Sequence, residues 1–217
     1  MSLKFYYIFE SAEYREVILT ADQLNVEVMT HKNSMSLGDN FKAQFLRYKP
    51  QELPPTFYDH TIGQALWETK AIIIYLAEKY DSQNCDLYPA DPLFKARINE
   101  ILFFDETILK KSFKDFWYPQ VFEGKPGSFE KLSQMERALE HLDTLLARDK
   151  WAAGPHLTLA DLVLQASIAN FCVIGQKDIG RYENIERWHR NCEKWVKGFK
   201  KNITGALECK KLFDLLK

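Results

Sequence analysis

The sequence predicts an α/β domain followed by an all-helical domain, because the character of the chain changes at a polar stretch near residue 82. Before that stretch, strand-like runs alternate with helical patterns in the order βαβαββα. Residues 82–92 hold two prolines and show no periodicity, which indicates a linker. After the linker, each periodic segment has helical spacing. We therefore expect domains at residues 1–81 and 93–217.

The N-terminal elements are predicted from apolar spacing and from the positions of Pro and Gly. Leu3 to Phe9 is a continuous apolar and aromatic run of strand length, which indicates a buried strand. Trp67 to Tyr80 has a broad apolar face and contains neither Pro nor Gly, which predicts a helix. The intervening elements are a helix at residues 14–24, a strand at 25–32, a short helix at 41–48, and a hairpin of 56–58 with 64–66. This order is typical of a thioredoxin-like domain, in which helices cover a sheet.

The C-terminal part is predicted to be helical throughout. Apolar residues recur every three or four positions from Phe129 to Leu146, which indicates an amphipathic helix. Thr158 and Asp161 have the spacing of a capping box, with Asp in place of the preferred Glu. An apolar helix is predicted to follow through Phe171.

Composition and charge exclude several classes of function. With 29 basic and 30 acidic residues the net charge is −1, which gives no indication of a nucleic-acid or anionic-membrane partner. The basic C-terminal stretch is interpreted as a solvated helical face. The sequence contains no nucleotide-binding glycine loop, Walker motif or serine-hydrolase elbow. No apolar run approaches the roughly 20 residues that a membrane span needs.

The cysteines and the first residues predict a cytoplasmic protein. The four cysteines form no CxxC pair and have no histidine spacing that suits zinc, so no metal site is expected. Dispersed thiols, together with a start that does not form a signal peptide, indicate a reducing compartment.

Four short segments carry a resemblance to a known family. They are Ala65-Leu66-Trp67-Glu68-Thr69-Lys70-Ala71-Ile72 with its continuation to Tyr80, Leu87-Tyr88-Pro89, Ser112-Phe113 with residues 118–122, and Trp151-Ala152-Ala153-Gly154 with residues 157–161. In this order they resemble the insect delta- and epsilon-class cytosolic glutathione transferases, over nearly the whole chain. An unclassified, diverged member of that family is the alternative. The resemblance implies the glutathione transferase fold, reduced glutathione as co-substrate without a cofactor, and a homodimer that conjugates glutathione to hydrophobic electrophiles in detoxification.

The resemblance places one end of glutathione at the start of the helix that begins near Trp67. A helix N-terminus presents free N–H groups and partial positive charge to a carboxylate. The backbone of Thr69 and Lys70 would hold the γ-glutamyl carboxylate, and Glu68 would hold the ammonium group. The alternative is that Glu68 and Thr69 only cap the helix.

The resemblance places the rest of glutathione on a second segment. Pro55 matches the family's cis-proline, and Pro54 before it lacks the N–H that would bind the peptide. The alternative is that Leu53-Pro54, rather than Pro54-Pro55, takes the role of the family's residue pair that ends in the cis-proline. Asn40 and Glu52 replace two histidines that bind glutathione in the family. Because an ionised Glu52 would repel the glycyl carboxylate, we expect weaker glutathione binding than in a typical member.

Ser11 is the predicted catalytic residue. Conjugation requires a thiolate, and a hydroxyl that donates to the sulfur lowers the thiol pKa. In the family a serine after the first strand does this; Ser11 takes that position, and Tyr7 is the second candidate donor. The alternative for Ser11 is a helix N-cap. Glu10 and Glu13 bring negative charge near the site, which opposes thiolate formation.

The resemblance also implies a pocket for the electrophile in the helical domain. The matching positions are Glu106, Lys110, Phe116, Tyr118 and Phe213. Glu106 and Lys110 are one helical turn apart and share a helix face. Either both face the pocket and make its mouth polar, or both point to solvent and pair with each other.

Two further classes of function remain open on the sequence. One is a ligandin-like binding protein of the same fold, with little or no conjugating activity. The other is an interaction module that uses the fold as a dimerisation unit.

For the homodimer, the expected contributors are exposed apolar residues around Trp67 and on the helix that bears Leu102 and Phe103.

Overall fold

The computed structural model describes residues 3–7, 11–32, 56–81, 86–175 and 179–216. Within these ranges the chain forms a four-stranded mixed sheet with two helices, followed by a helical region, as the sequence predicts. The predicted short helix at residues 41–48 lies outside the described residues. Within these ranges, no helix combines the length and the hydrophobicity that a membrane crossing requires.

The sheet is mixed, and its edges are formed by the second and fourth strands. The strands are β1 (Leu3–Tyr7), β2 (Met29–Lys32), β3 (Thr56–Asp59) and β4 (Gln64–Leu66), in the spatial order β2-β1-β3-β4. β2 runs parallel to β1, whereas β3 is antiparallel to both β1 and β4. Phe5 pairs with Phe57 in this register, and both side chains are fully buried. The predicted hairpin of residues 56–58 with 64–66 is therefore confirmed.

Two helices, α1 (Ala12–Leu24) and α2 (Thr69–Tyr80), pack against each other and complete what we call the sheet region. The Tyr14 ring of α1 stacks on the Phe5 ring of β1, with centroids 5.9 Å apart. Ser11 is the residue directly before the first turn of α1 and is its N-cap. The packing of α1 on the sheet therefore fixes the position of Ser11.

The helical region surrounds one buried helix. Its elements are α3 (Pro92–Phe104), a π-helical segment (Asp105–Leu109), α4 (Lys110–Phe122), α5 (Phe129–Leu146), α6 (Leu159–Asn170), a second π-helical segment (Phe171–Gly175), a short turn (Ile179–Arg181), α7 (Glu183–Trp195) and α8 (Phe199–Leu216). Every side chain of α6 from Leu159 to Ala169 is buried. The helix contacts α3, α7 and α8, and it also contacts α1, which joins the helical region to the sheet region.

The N-terminus of α6 is fixed by Asp161. Its carboxylate accepts from the Thr158 N–H at 2.9 Å, and from the Ala152 N–H and the Trp188 indole N–H at 2.8 Å each. The predicted capping box of Thr158 and Asp161 is confirmed. Burial raises the pKa of Asp161, although these donors oppose the shift.

α3, the first π-helical segment and α4 form one continuous helical run over residues 92–122. Asp91 caps its start by accepting from the N–H groups of Leu93 and Phe94, each at 2.9 Å. A π-helical turn contains one residue more than the corresponding α-helical turn, so the segment changes which side chains of α4 face inward. Lys110, the first residue of α4, is buried.

Candidate active-site cleft

A cleft opens between the N-terminus of α1 and the helices α4, α6 and α8. Its apolar lining includes Phe113, Tyr118, Phe171, Ile174, Cys209 and Phe213. Its polar lining includes Ser11, Glu13, Lys110, Lys114, Ser167 and Asn170. The cleft thus spans the sheet region and the helical region, and it places a hydroxyl at a helix N-terminus beside an aromatic wall.

Ser11 lines this cleft as the N-cap of α1. Its Oγ accepts a hydrogen bond from the Tyr14 N–H at 3.2 Å. That bond uses a lone pair of the oxygen and leaves the hydroxyl proton for donation to a thiolate. The partial positive charge at the start of the helix also favours an anion there. The N-cap interpretation and the catalytic interpretation of Ser11 are therefore compatible.

Tyr7, the second candidate donor, is the last residue of β1. Its ring stacks on the Tyr14 ring with centroids 4.0 Å apart, and its side chain is buried. This stacking fixes the Tyr7 ring between the sheet and α1. Because Ser11 lines the cleft, the geometry favours Ser11 over Tyr7 as the donor to a bound sulfur.

Lys110 pairs with carboxylates from both regions of the chain. Its Nζ lies 2.5 Å from Glu106 Oε2 and 2.9 Å from Glu16 Oε1. The predicted pairing of Glu106 with Lys110 is therefore present, but the two side chains have different surroundings. The Lys110 side chain is 5% exposed and reaches the cleft, whereas the Glu106 side chain is 46% exposed. The structure thus combines parts of both predicted alternatives, because only the lysine faces the cleft.

The charges around Lys110 set the protonation states beside Ser11. Burial alone would lower the pKa of Lys110, but Glu16 and the neighbouring carboxylates raise it well above its ordinary value. Burial alone would raise the pKa of Glu13, yet Lys110 and Lys114 hold it well below its ordinary value. The Lys114 Nζ lies 2.9 Å from Glu13 Oε1. Glu13 is therefore a carboxylate with two nearby lysines, which reduces its repulsion of a thiolate.

The corner at the start of α2 presents a helix N-terminus, with Glu68 in the N-cap position. The Glu68 side chain is exposed and makes no capping bond to any described residue, whereas Thr69 is buried. The Lys70 Nζ lies 2.7 Å from Glu16 Oε2 and 3.1 Å from Asp105 Oδ2. The Lys70 ammonium group therefore forms ion pairs between the sheet region and the helical region. The backbone N–H of Lys70 is the group left to bind a ligand.

The other predicted glutathione ligands belong to a segment that is not described. Asn40, Glu52, Leu53, Pro54 and Pro55 lie outside the described residues, and so does Glu10. Their roles stay predictions. The described part of the candidate site consists of the cleft at Ser11 and the corner at the start of α2.

The residues predicted to hold the electrophile divide into two groups. Lys110, Tyr118 and Phe213 line the cleft, and the rings of Tyr118 and Phe213 meet with centroids 5.8 Å apart. Phe116 instead packs its ring against Trp117, with centroids 5.0 Å apart. Glu106 does not line the cleft and instead forms ion pairs with Lys110 and, at 3.8 Å, with Lys70.

The cleft also contains residues that the sequence did not reveal. Phe113 and Lys114 follow Lys110 by three and four residues, so helical spacing along α4 was the available signal. Ser167 and Asn170 belong to α6. No sequence pattern marks these two, because their place in the cleft depends on how α6 packs against α1.

Comparisons with known proteins agree with this arrangement. The family profiles "Glutathione S-transferase, N-terminal domain" and "Glutathione S-transferase, C-terminal domain" match residues 1–78 and 107–194. A solved delta-class glutathione transferase from Nilaparvata lugens has a TM-score of 0.92 at 33% identity, over 99% of this chain and 100% of that one. Bombyx mori glutathione transferase BmGSTD1 has a TM-score of 0.90 at 30% identity, over 100% of this chain and 98% of that one. Unclassified glutathione S-transferase 2 from Bombyx mori has a TM-score of 0.88 at 28% identity, over 100% and 99%.

The mixed four-stranded sheet with helices, followed by a helical region, is the glutathione transferase fold. The N-terminal and C-terminal family profiles match the chain in the same order. The chain belongs to the glutathione S-transferase family. The similar structures include insect delta-class, epsilon-class and unclassified members.

Proposed function

We propose that this chain conjugates the thiolate of reduced glutathione to hydrophobic electrophiles. The observation that carries the proposal is the position of Ser11, whose Oγ is fixed as the N-cap of α1 in a cleft with aromatic walls. A hydroxyl donor at a helix start favours the thiolate over the thiol. An apolar cleft beside it favours an apolar second substrate. Membership of the family supports the same class of reaction.

In the proposed reaction the thiolate attacks the electrophilic carbon, a carbon–sulfur bond forms, and the leaving group departs with its electron pair. Ser11 donates a hydrogen bond to the sulfur and so lowers the pKa of the bound thiol. At the start of α2, the N–H groups of Thr69 and Lys70 bind the γ-glutamyl carboxylate. Glu68 binds the ammonium group at the same end of glutathione.

The proposal includes a cytoplasmic homodimer that acts in detoxification. Trp67 and Phe103 are 38% and 67% exposed, so they offer apolar surface to a second copy of the chain. Leu102 on the same helix is 2% exposed and belongs to the core, so Phe103 is the one of this pair that offers apolar surface.

Steady-state conjugation of a chloronitrobenzene tests the catalytic role of Ser11. We expect Ser11→Ala to lower kcat/KM at least about tenfold, because a hydrogen bond to a charged group contributes roughly 1.5–3 kcal/mol. Ser11→Gly removes the same hydroxyl but costs only about a few tenths of a kcal/mol as an N-cap, so an equal loss in both variants separates catalysis from folding. Tyr7→Phe is the matched control. Full activity in Ser11→Ala with loss in Tyr7→Phe would move the role to Tyr7.

The second candidate function is a binding protein that holds hydrophobic molecules with little turnover. Glu13 favours it, because this carboxylate lines the same cleft as Ser11 and its charge, although reduced in effect by Lys110 and Lys114, still opposes an adjacent thiolate. The conjugation assay separates the two functions. A wild-type chain that binds a hydrophobic dye in the cleft but conjugates no electrophile would establish the second one.

A further inference from the structure

One face of α6 and of the π-helical segment after it forms a wall of the cleft. Ser167, Asn170, Phe171 and Ile174 line the cleft at positions i, i+3, i+4 and i+7, which lie on one helix face. Two hydrogen-bonding side chains therefore face the same space as two apolar ones. This mixture is more selective than an apolar wall, because a ligand must match both parts.

The Ser167 hydroxyl is buried, and its oxygen has no hydrogen-bond partner among the described residues. The residue is 1% exposed. A serine in a helix often donates to the carbonyl one turn earlier, but Ser167 does not. A buried hydroxyl without a partner is unfavourable compared with the same group in water. An acceptor on a ligand in the cleft would remove this penalty by accepting the Ser167 proton.

The Asn170 amide is oriented by Arg15. The Arg15 Nη2 donates to Asn170 Oδ1 at 2.5 Å. Because an arginine side chain only donates, this bond assigns the amide oxygen to the side of Arg15. Arg15 is itself held by the Ala166 carbonyl at 2.9 Å and by Asn202 Oδ1 at 2.5 Å. The amide nitrogen is therefore the end of Asn170 that is left to donate in the cleft.

The charged groups of the cleft are already paired. Lys114 donates to Glu13 at 2.9 Å, and Lys110 donates to Glu16 at 2.9 Å. A ligand carboxylate has to compete with these protein carboxylates for the lysines. A neutral oxygen acceptor can use the uncharged donors without breaking an ion pair.

We propose that Ser167 and Asn170 form a donor pair that selects electrophiles with a neutral oxygen acceptor, a ketone or aldehyde carbonyl, on an apolar skeleton. The inference rests on the proposed function, because it names the substrate class of the same cleft. The aromatic wall holds the skeleton, and the donor pair holds the carbonyl oxygen. Both residues determine specificity, and neither transfers a proton.

Fluorine NMR titration of the full chain with three unreactive ligands tests the donor pair. Para-fluorinated benzylacetone carries the ketone, para-fluorinated butylbenzene lacks it, and para-fluorinated phenylbutyrate has a carboxylate in its place. We expect the wild-type chain to bind the ketone more tightly than the carboxylate. Ser167→Ala and Asn170→Asp should each weaken ketone binding about fivefold and change hydrocarbon binding by less than about twofold.

The variants are chosen to keep the fold. Asn170→Asp retains the oxygen that Arg15 binds. Ser112→Ala is the matched control, because Ser112 is another buried helical serine whose Oγ donates to the Leu109 carbonyl at 2.8 Å; it should change neither affinity. Ser167→Ala should unfold at no lower temperature than Ser112→Ala, because it removes an unsatisfied hydroxyl.

Equal losses of ketone and hydrocarbon binding in Ser167→Ala would overturn the donor pair, since they would indicate a packing defect. A wild-type chain that does not bind the ketone, or that binds the carboxylate more tightly, would overturn it as well. None of the three ligands reacts with a thiolate. A chain that meets these expectations but conjugates nothing therefore contradicts only the proposed function.

Discussion

The Glu16 carboxylate is fully buried between two lysines that come from different regions of the chain. Lys70 of α2 lies 2.7 Å from one of its oxygens, and Lys110 of α4 lies 2.9 Å from the other. Burial raises the pKa of Glu16 above its ordinary value, although both lysines oppose the shift. Removal of either lysine would therefore leave this buried carboxylate with one cation instead of two.

Replacement of Lys110 by Met tests this contact. We expect Lys110→Met to lower the free energy of unfolding by about 3–5 kcal/mol, because it removes one of the two cations that compensate the buried Glu16 and Asp105 carboxylates. The neighbouring variant Lys111→Met is the control, since Lys111 is exposed and pairs with Asp115 one turn along the helix, at 2.6 Å. It should cost less than about 1 kcal/mol. Urea unfolding measures the free energy of unfolding of both variants. Similar losses would show that the buried ion pairs of Lys110 contribute no more than a surface pair.

Asp59 determines part of the pH dependence of stability. Its carboxylate accepts from the Tyr75 hydroxyl, the Lys79 ammonium and the Thr61 N–H, each at 2.7 Å. Burial alone would raise the pKa of Asp59, but the hydrogen bonds from Lys79, Thr61 and Tyr75 hold it well below its ordinary value. The folded pKa is thus lower than the unfolded value of about 3.9. The resulting stabilisation is present above that value and is lost as the pH falls below it.

Asp59→Asn tests this assignment. We expect it to lower the free energy of unfolding by about 1–3 kcal/mol near neutral pH, because hydrogen bonds to a charged group are lost. The difference from wild type should shrink as the pH falls from about 4 to about 2, because the unfolded wild-type chain then binds a proton that the folded Asp59 carboxylate does not. Urea unfolding at a series of pH values measures the difference. A difference that does not change over that range would be the wrong result for a carboxylate with a lowered pKa.

Helix α6 depends on one carboxylate at its start. Asp161 joins the capping box to α7, through Trp188, and to the turn before α6, through Ala152. The capping box was predictable because Thr158 and Asp161 are close in sequence. The bond to Trp188 was not, since it joins residues 27 positions apart.

Asp161→Ala should therefore cost more than the loss of an ordinary cap. We expect a decrease of at least about 3 kcal/mol in the free energy of unfolding, because several buried donors lose their acceptor. Asp91→Ala removes a cap of the same residue type at the exposed start of α3. It should cost about 1 kcal/mol. Thermal or urea unfolding compares the two, and equal losses would show that Asp161 acts only as a cap.

The rotational orientation of α4 explains which of the predicted pocket residues line the cleft. Lys110, Phe113, Lys114 and Tyr118 share the face that lines it, at i, i+3, i+4 and i+8. Phe116 lies off this face and packs on Trp117. The π-helical segment before Lys110 breaks the regular repeat, and apolar periodicity alone does not reveal such a segment.

Across the whole molecule, the order of elements followed from the sequence because burial imposes visible periods on strands and helices. The helix at residues 129–146 was predicted with the bounds that the structure has. The helix predicted from Trp67 begins at Thr69. Such boundaries depend on capping and pairing, which periodicity does not specify.

The candidate site was less predictable than the fold. Ser11 and the corner at Glu68 came from the family resemblance, and helix-terminus physics supports both. The buried contact of Lys110 with Glu16 could not be predicted in this way, because the two residues are 94 positions apart in sequence. Contacts of that kind appear only once α1, α2 and α4 are packed together.

The pKa of the thiol of bound glutathione tests the central claim, that Ser11 stabilises the thiolate, most directly. The ultraviolet absorbance of the thiolate, followed against pH in the complex, measures it. We expect the bound thiol in the wild-type chain to titrate at least about one pH unit below free glutathione, and Ser11→Ala to remove that difference. The same bound-thiol pKa in the wild-type chain and in Ser11→Ala would contradict the account.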